Sequence, residues 1–286
     1  MPSIQDLYSK VKPQGVYLNL SIEEYHSDLS LSVSGMKHLL NSDLHYWYNS
    51  GFNPNREFIE TPALKTGKLL HTMLLEPEKF HQLYKIKNNV YSSKASGFIG
   101  EGEYNEALNM INIIKENPFY EQFLSWGFPE VSIFWRCSHT GVPCKIRIDY
   151  LNKYIVDYKT TRNALLHKIK PSILAYNYHI QAAFYIYGLQ QIASKDYKIY
   201  NIENKEEKKD LKNIIDNFNK KFVFLWQEKT PPHASIVTEL TSDFIEVGAE
   251  GATMALDLYK KNFEKFGFNK WHDPENDKIY TIDYDY

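Results

Sequence analysis

The chain has 286 residues and a formal net charge of −2, with 43% hydrophobic and 24% charged residues. This composition is typical of a folded globular protein and excludes a largely disordered chain. The length lies near the upper end of what one hydrophobic core supports. We therefore expect a single domain over 1–286, with a helical part over about 1–128 and a sheet with flanking helices over about 129–286.

No apolar run approaches the roughly 20 residues that cross a bilayer, and the first residues, MPSIQDLYSKVK, lack the apolar stretch of a secretory signal. We therefore expect a cytoplasmic protein. The two cysteines, Cys137 and Cys144, are expected to be free thiols in or beside a hairpin. They are too few for a cluster that needs four thiolates.

The overall charge gives no signature of nucleic-acid binding, so any such surface must be local. One segment, 145–170, is locally basic, since only Asp149 and Asp157 oppose its lysines and arginines. The basic residues there are Lys145, Arg147, Lys153, Lys159, Arg162, Lys168 and Lys170.

The N-terminal part is predicted to be mostly helical. An apolar stripe in SVSGMKHLLNSDLHYWYN indicates a helix with Ser34 as its N-cap. A second helix is predicted over 61–76, which places Gly67 and His71 one turn apart on one face. Residues 92–102 are rich in Ser and Gly and are predicted to form a mobile loop.

Helical stretches are predicted next, over about 104–126. Three strands follow in quick succession, and their short connections predict an antiparallel meander. The strand sequences are PEVSIFWRC, PCKIRIDYL and YIVDYKT.

The remaining segments alternate between helical and strand patterns. Helices are predicted over 172–191 and 243–266, and the mixed-charge insertion at 203–221 is predicted to be a solvated helix. YKIYNI and FVFLWQE are predicted strands, and the tail FNKWHDPENDKIYTIDYDY is expected to lie across the surface. The elements together predict a mixed α/β fold with a central sheet flanked by helices.

Two of the strands in the meander carry polar residues suited to metal-dependent chemistry. Side chains alternate along a strand, so Asp157 and Lys159 share one face. Asp149 lies beside Asp157 if the second and third strands pair through the LNKY turn. Neighbouring carboxylates repel unless a cation lies between them, and hard oxygen ligands suit Mg²⁺ or Mn²⁺. A lone Asp-x-Lys motif, by contrast, is most often a solvated ion pair.

The order of motifs resembles the PD-(D/E)xK nuclease superfamily, specifically RecE-type exonucleases, which comprise the nuclease domain of exodeoxyribonuclease VIII, and more distantly RecB and lambda exonuclease. The resemblance covers most of the chain. It rests on LSVSGMKHLL, GKLLHTMLLEP, PEVSIFW, the pair KIRIDYL and IVDYKTT, and YHIQAAFY. It implies a PD-(D/E)xK restriction-endonuclease-like core with a central mixed sheet.

The resemblance also implies roles for individual residues. His71, Asp149 and Asp157 would ligate a metal ion, which would be Mg²⁺ with Mn²⁺ as a substitute. Lys159 would be the catalytic lysine, with Asp157 and Asp149 beside it. A lone histidine on a helix is more often structural, so the ligand role of His71 depends on the GxxxH motif in this company.

Further residues are assigned supporting roles. Gln181 is grouped with the catalytic residues and would face the active site and the substrate backbone, or else cap a nearby carbonyl. Tyr185 is either a site residue or part of the core. Glu130 would support the metal site or be merely solvated. Candidates for holding the DNA backbone are Ser34, Lys37, Arg147, Thr160 and Arg162.

The resemblance implies a metal-dependent exonuclease that degrades double-stranded DNA from its ends, 5′ to 3′, and leaves 3′ single strands for recombination in a bacterial or phage-infected cell. A RecT-like single-strand annealing protein would be its partner, and a homo-oligomer, in the form of a ring, would explain processivity.

Three alternatives remain at this point. An endonuclease or a single-strand nuclease could use the same metal site. From another class, an inactive DNA-binding or assembly module could share the fold. A further relative is disfavoured and is not among these three. CRISPR-associated adaptation nucleases share the core but hold an iron–sulfur cluster with four cysteines, and this chain has two.

Overall fold

A computed structural model describes residues 2–57, 61–87 and 97–272. Nine strands lie within these ranges. They are β1 (Gly15–Tyr17), β2 (Lys85–Lys87), β3 (Phe98–Gly100), β4 (Phe128–Arg136), β5 (Pro143–Leu151), β6 (Ile155–Thr161), β7 (Ile199–Tyr200), β8 (Phe222–Glu228) and β9 (Ser235–Glu239). Seven of them form the central sheet, in the order β7-β1-β4-β5-β6-β8-β9.

The central sheet is mostly antiparallel, and only the β1–β7 and β6–β8 pairs are parallel. Helices flank it. They are α1 (Ile22–Ser27), α2 (Val33–Asn41), α3 (Asp43–Asn49), α4 (Pro62–Leu75), α5 (Phe80–Leu83), α6 (Glu101–Glu116), α7 (Phe119–Leu124), α8 (Leu166–Ala175), α9 (Tyr178–Ala193), α10 (Lys205–Asp216) and α11 (Ser242–Phe266). The predicted fold class is confirmed.

Alternation along β6 shows how the sheet separates two apolar cores. Ile155 packs in a core with side chains of α2, α9 and α11. Val156 and Tyr158 pack in a second core with side chains of α4, α6 and α7. Since successive strand residues face opposite sides, Asp157 falls on the α9 side of the sheet.

The predicted meander is present as β4, β5 and β6. The β4–β5 ladder runs along the full length of both strands, whereas the β5–β6 ladder consists of Tyr150↔Val156 and Leu151↔Ile155. The two strands therefore stop pairing as they run away from their connecting turn, and this opening lies beside Asp149.

The first predicted helix differs from the prediction in two ways. Ser32, not Ser34, is the N-cap, and its hydroxyl accepts from the Gly35 N–H. The helix also stops at Ser42, whose extended backbone ends α2 and whose side chain caps α3. Ser is a favoured N-cap residue, and Ser32, Ser34 and Ser42 all lie in this segment, so the sequence alone does not identify which of them is the N-cap. The helix over 61–76 is confirmed, with Thr61 as N-cap.

The predicted loop over 92–102 is wrong in its second half, because β3 and the first turn of α6 occupy 98–102. Residues 92–96 of that loop lie outside the described residues. The helix predicted over 172–191 is broken at Asn177, whose backbone is left-handed with φ 51°. Asn tolerates this conformation better than most residues, and it separates α8 from α9 here.

The remaining differences concern the edges of the fold. β1 and β9 were not predicted, and β7 is shorter than YKIYNI. The helix in the 203–221 insertion is confirmed as α10, although it buries Leu211 and Ile215. The tail is not wholly superficial, since Trp271 is fully buried and packs against Tyr46 and Tyr259. Residues 273–286 lie outside the described part of the chain.

Both cysteines are free and buried, at the β4–β5 hairpin as predicted. Over the described residues, the helices include none with the length and apolar character to cross a membrane.

Candidate active site

Glu130 and Asp149 come together because β4 and β5 pair around them. Pro129↔Tyr150 and Val131↔Ile148 are neighbouring pairs in the ladder, so the two acids lie opposite each other between them. Glu130 adopts a left-handed backbone with φ 52°, which is rare for a residue with a side chain. Strained backbone of this kind clusters at functional sites.

Asp149 stands where β5 and β6 separate. Its Oδ2 accepts a hydrogen bond of 2.9 Å from the Tyr158 backbone N–H. A side chain thus takes the place of a strand–strand bond, and it fixes the carboxylate at the opening of the sheet.

His71 reaches this opening from α4. Its Nε2 lies 3.1 Å from the Tyr158 carbonyl oxygen, and its Nδ1 lies 3.7 Å from Asp149 Oδ2 and 3.9 Å from Glu130 Oε1. A carbonyl only accepts, so Nε2 carries the proton. In neutral His71 the lone pair is therefore on Nδ1, directed at the two carboxylates. This is the tautomer control that metal-binding histidines require.

The three side chains, His71, Glu130 and Asp149, form what we call the open cluster. One ligand atom from each lies within 4.8 Å of the others, and each side chain is partly exposed. One imidazole nitrogen and two carboxylate oxygens are ligands suited to Mg²⁺, Mn²⁺ or a related divalent ion. The donor set therefore fits a metal ion.

The charges in the open cluster also favour a cation. Burial lowers the pKa of His71, but the Asp149 and Glu130 carboxylates outweigh it and raise the pKa to about 9. Burial raises the pKa of Asp149 to about 7, with the nearby Asp157 carboxylate adding to the rise against the effect of His71. A protonated His71 thus supplies the positive charge that a metal ion would supply.

A second group, Asp157, Lys159 and Gln181, forms what we call the buried cluster. Asp157 is 2% exposed. Its Oδ2 lies 2.6 Å from Lys159 Nζ, and its Oδ1 accepts a hydrogen bond of 2.5 Å from Gln181 Nε2 on α9. The predicted shared face of Asp157 and Lys159 is confirmed by this contact.

The lysine of the buried cluster stays charged. Burial lowers the pKa of Lys159, but the Asp157 and Asp149 carboxylates outweigh burial, and the pKa is raised. Its ammonium also lies 5.0 Å from the centre of the Tyr178 ring. Asp149 is thus close enough to influence both clusters.

Several sequence candidates serve the fold rather than a free surface. Arg147 donates from Nε to Glu130 and from Nη1 to the Leu20 carbonyl and to Ser132, so these two nitrogens are used within the protein. Lys145 is buried and donates to the carbonyls of Tyr25 and Asp28, so the first residue of the basic segment 145–170 does not contribute to a surface.

Lys37 lies close to the buried cluster, with its ammonium 4.9 Å from the centre of the same Tyr178 ring. Burial and the Lys159 charge lower the pKa of Lys37 to about 8. Ser34 lies exposed in the first turn of α2, with its hydroxyl 3.0 Å from that of Ser32. Thr160 is half-buried on β6, and Arg162 is exposed just beyond it.

Tyr185 lies between the two readings that the sequence left open. Burial raises its pKa well above the ordinary value, and the nearby Tyr25, Asp157 and Asp149 add to the rise. Its ring packs against Phe222, which belongs to the core. It is a core residue whose hydroxyl lies near the site.

The sequence interpretation missed Tyr178, and it considered Glu130 as a support of the metal site, where the structure groups Glu130 with His71 and Asp149. Tyr178 precedes Gln181 by three residues on α9, and this spacing places both on one helix face beside Asp157 and Lys159. That signal could have identified it. The role of Glu130 depends on its left-handed backbone, for which the sequence carries no signal.

The comparisons with known proteins concern the family and the fold. A family model described as "PDDEXK-like domain of unknown function (DUF3799)" matches residues 32–265. A crystal structure of a protein described as a "Putative exonuclease", from Eubacterium rectale, is similar with a TM-score of 0.55 and 16% sequence identity. The match covers 84% of this chain and 86% of that one. Among curated proteins, none matches.

Proposed function

Because the chain belongs to the family of PDDEXK-like domains, we propose that it is a DNA nuclease that depends on a divalent metal ion. The observation that carries this proposal is that Asp149 of the open cluster interacts electrostatically with the ion-paired Lys159. The fold that the chain shares with a protein described as an exonuclease supports it.

In this proposal the open cluster holds the metal ion. His71, Glu130 and Asp149 present one nitrogen and two carboxylates. The resemblance adds Asp157 as a further ligand. When bound, Mg²⁺ or Mn²⁺ would lower the pKa of a water molecule and offset the charge of the phosphate.

The buried cluster positions the lysine. Asp157 fixes the Lys159 ammonium, and Gln181 fixes Asp157. Lys159 donates hydrogen bonds to the attacking water or to a phosphate oxygen and stabilises the charge that develops in the transition state. The water oxygen bonds to phosphorus as one P–O ester bond breaks, and the leaving oxygen takes up a proton. The products are a phosphate monoester and a free hydroxyl group.

The finer proposal is an exonuclease that acts on double-stranded DNA ends, 5′ to 3′, in the bacterial cytoplasm. The resemblance to RecE-type enzymes supports the polarity, the 3′ single-stranded product and a role in recombination. It also supports a RecT-like annealing partner and a homo-oligomer, whose ring form would retain DNA through its topology.

Two other functions fit parts of the site. An endonuclease or single-strand nuclease would use the same residues, because the chemistry of the site does not dictate the need for a DNA end. An inactive binding module would not need a lysine fixed beside the open cluster, so the Asp157–Lys159 contact favours an enzyme.

The test compares linear and closed circular duplex DNA, each with Mg²⁺ or with EDTA, and follows a label at one 5′ end. The variants are Lys159→Ala and, as a matched control, Lys153→Ala, which changes an exposed lysine on the β5–β6 turn. We expect Mg²⁺-dependent loss of linear DNA, early release of the 5′ label, and abolition by Lys159→Ala alone.

Other results would redirect the proposal. Cutting of circular DNA would indicate an endonuclease, and late release of the 5′ label would reverse the polarity. A protein that binds DNA but degrades neither substrate in the presence of Mg²⁺ would be a binding module.

A further inference from the structure

The segment after β6 carries a surface that has basic residues and no acidic ones. Between Asp157 and Asp196 the sequence contains no Asp or Glu. Arg162, Lys168 and Lys170 are exposed in this stretch. The Glu228 carboxylate lies beside this stretch, where it accepts a hydrogen bond from the Ala164 N–H. The stretch therefore presents positive charge without acidic side chains of its own.

The same stretch exposes large apolar side chains. Helix α8 buries Ile169 and Ile173 and turns its other faces outward. The exposed side chains are Leu165, Leu166, Leu174 and Tyr176, and Tyr176 is 61% exposed. We call these four residues, with Lys168 and Lys170, the α8 surface.

A continuous row of contacts joins the α8 surface to the buried cluster. The left-handed Asn177 separates α8 from α9, so that Tyr176 points to solvent while Tyr178 packs against Phe224 and Trp226. The ring centres of Tyr176 and Tyr178 are 5.7 Å apart, and the Tyr178 ring centre is 5.0 Å from Lys159 Nζ.

The Tyr176 ring thus lies within about 11 Å of the lysine nitrogen. At a rise of ~3.4 Å per nucleotide, this distance corresponds to about three stacked nucleotides. The Lys37 ammonium lies 4.9 Å from the centre of the Tyr178 ring and adds a second cation beside this ring.

We propose that the α8 surface binds one unpaired strand of the DNA as it enters or leaves the site, with a nucleobase stacked on Tyr176 and the neighbouring phosphates held by Lys168 and Lys170. Basic side chains interleaved with an exposed aromatic ring suit single-stranded nucleic acid, because every base offers a π-face. This inference rests on the proposed function and extends it to the form of the substrate.

Charge identifies the occupant. A protein partner would need an acidic face to match Lys168 and Lys170, as well as apolar groups for the leucines. A single strand supplies a phosphate and an apolar base in each nucleotide, and both kinds of group match the side chains of the α8 surface.

The test is binding of two fluorescent oligonucleotides of equal length in EDTA, measured by anisotropy. One is a thymidine oligonucleotide, and the other is its abasic counterpart, which keeps the phosphates and lacks the bases. The variants are Tyr176→Ala, Tyr176→Trp and Lys168→Ala/Lys170→Ala. The matched control is Tyr48→Ala, since Tyr48 is 63% exposed on α3.

We expect Tyr176→Ala to weaken binding of the thymidine strand at least about 5-fold and to leave the abasic strand unchanged. Tyr176→Trp should retain the affinity. The double lysine variant should weaken binding of both strands and reduce the dependence of the affinity on salt. Tyr48→Ala should bind both like the wild type.

The inference is overturned if Tyr176→Ala binds the thymidine strand as tightly as Tyr48→Ala does. It is also overturned if Tyr176→Ala loses the same fraction of its affinity for the thymidine strand and for the abasic strand. It is also overturned if the substitution lowers the oligomer mass, because the α8 surface would then join copies of the chain. Mg²⁺-dependent cleavage by wild-type protein is measured in parallel. If the wild type cleaves, only the inference fails, and if it neither cleaves nor binds, the proposed function fails as well.

Discussion

The two clusters of the site differ in how their charges are satisfied. In the buried cluster, Oδ2 of Asp157 forms an ion pair with Lys159, and Oδ1 accepts a hydrogen bond from Gln181. In the open cluster, Glu130 and Asp149 face His71 at distances longer than a normal hydrogen bond, beside partly exposed side chains. The carboxylate of the buried cluster is in direct contact with a cation and an amide, whereas the open cluster leaves space between its imidazole and its two carboxylates. The difference separates residues that position from residues that bind.

The largest expected effect comes from removing the central carboxylate of the buried cluster. Asp157→Ala leaves the Lys159 ammonium without its partner and should lower the free energy of unfolding by about 4 kcal/mol, measured by urea denaturation. The matched control is Glu239→Ala, which breaks the exposed ion pair with Lys221 and should cost less than about 1 kcal/mol. Equal losses in the two variants would contradict the distinction.

Asp149→Asn should affect activity and not stability. We expect the rate of DNA cleavage to fall about 100-fold, equivalent to about 2.7 kcal/mol, because a ligand is lost. Without metal, the free energy of unfolding should not decrease, since burial and Asp157 both disfavour the Asp149 charge. Glu250→Gln, at an exposed carboxylate of α11, should change neither property. A large loss of stability would assign Asp149 to the positioning residues.

Metal binding should stabilise the folded protein through the open cluster. At a Mg²⁺ concentration ~10 times its Kd, we expect about 1.4 kcal/mol of added stability and a rise in Tm of about 3 °C, measured by scanning calorimetry. The Glu130→Gln variant should lose this rise, and Glu250→Gln should keep it. An equal rise in both variants would place the metal ion elsewhere.

The smallest effect is expected at Tyr185. Tyr185→Phe removes one hydroxyl and keeps the ring that packs against Phe222, so it should change the free energy of unfolding by less than about 1 kcal/mol. Cleavage should continue at nearly the wild-type rate. If the rate falls as far as in Asp149→Asn, the hydroxyl contacts the substrate and the residue belongs with the open cluster.

The central part of the fold could be predicted from the sequence because its signals are local. Alternating apolar residues define β4, β5 and β6, and their short turns require an antiparallel meander. The shared face of Asp157 and Lys159 follows from strand geometry alone. The helical position of His71 follows from the apolar pattern around it.

What could not be predicted depends on tertiary contacts. Lys145 and Arg147 are basic residues of the kind expected on a DNA-binding surface. They instead donate hydrogen bonds to the backbone carbonyls of Tyr25, Asp28 and Leu20. Trp271 is in a polar tail, yet an aromatic core receives it. Local patterns contain no information about such distant partners.

The opening between β5 and β6 gives the site a built-in reporter. The Tyr158 amide proton is held by the Asp149 carboxylate and not by a strand, so its protection from exchange with solvent depends on one side chain. Amide exchange at this position, followed by nuclear magnetic resonance, would therefore record each movement of the carboxylate, and it would do so without any substrate present.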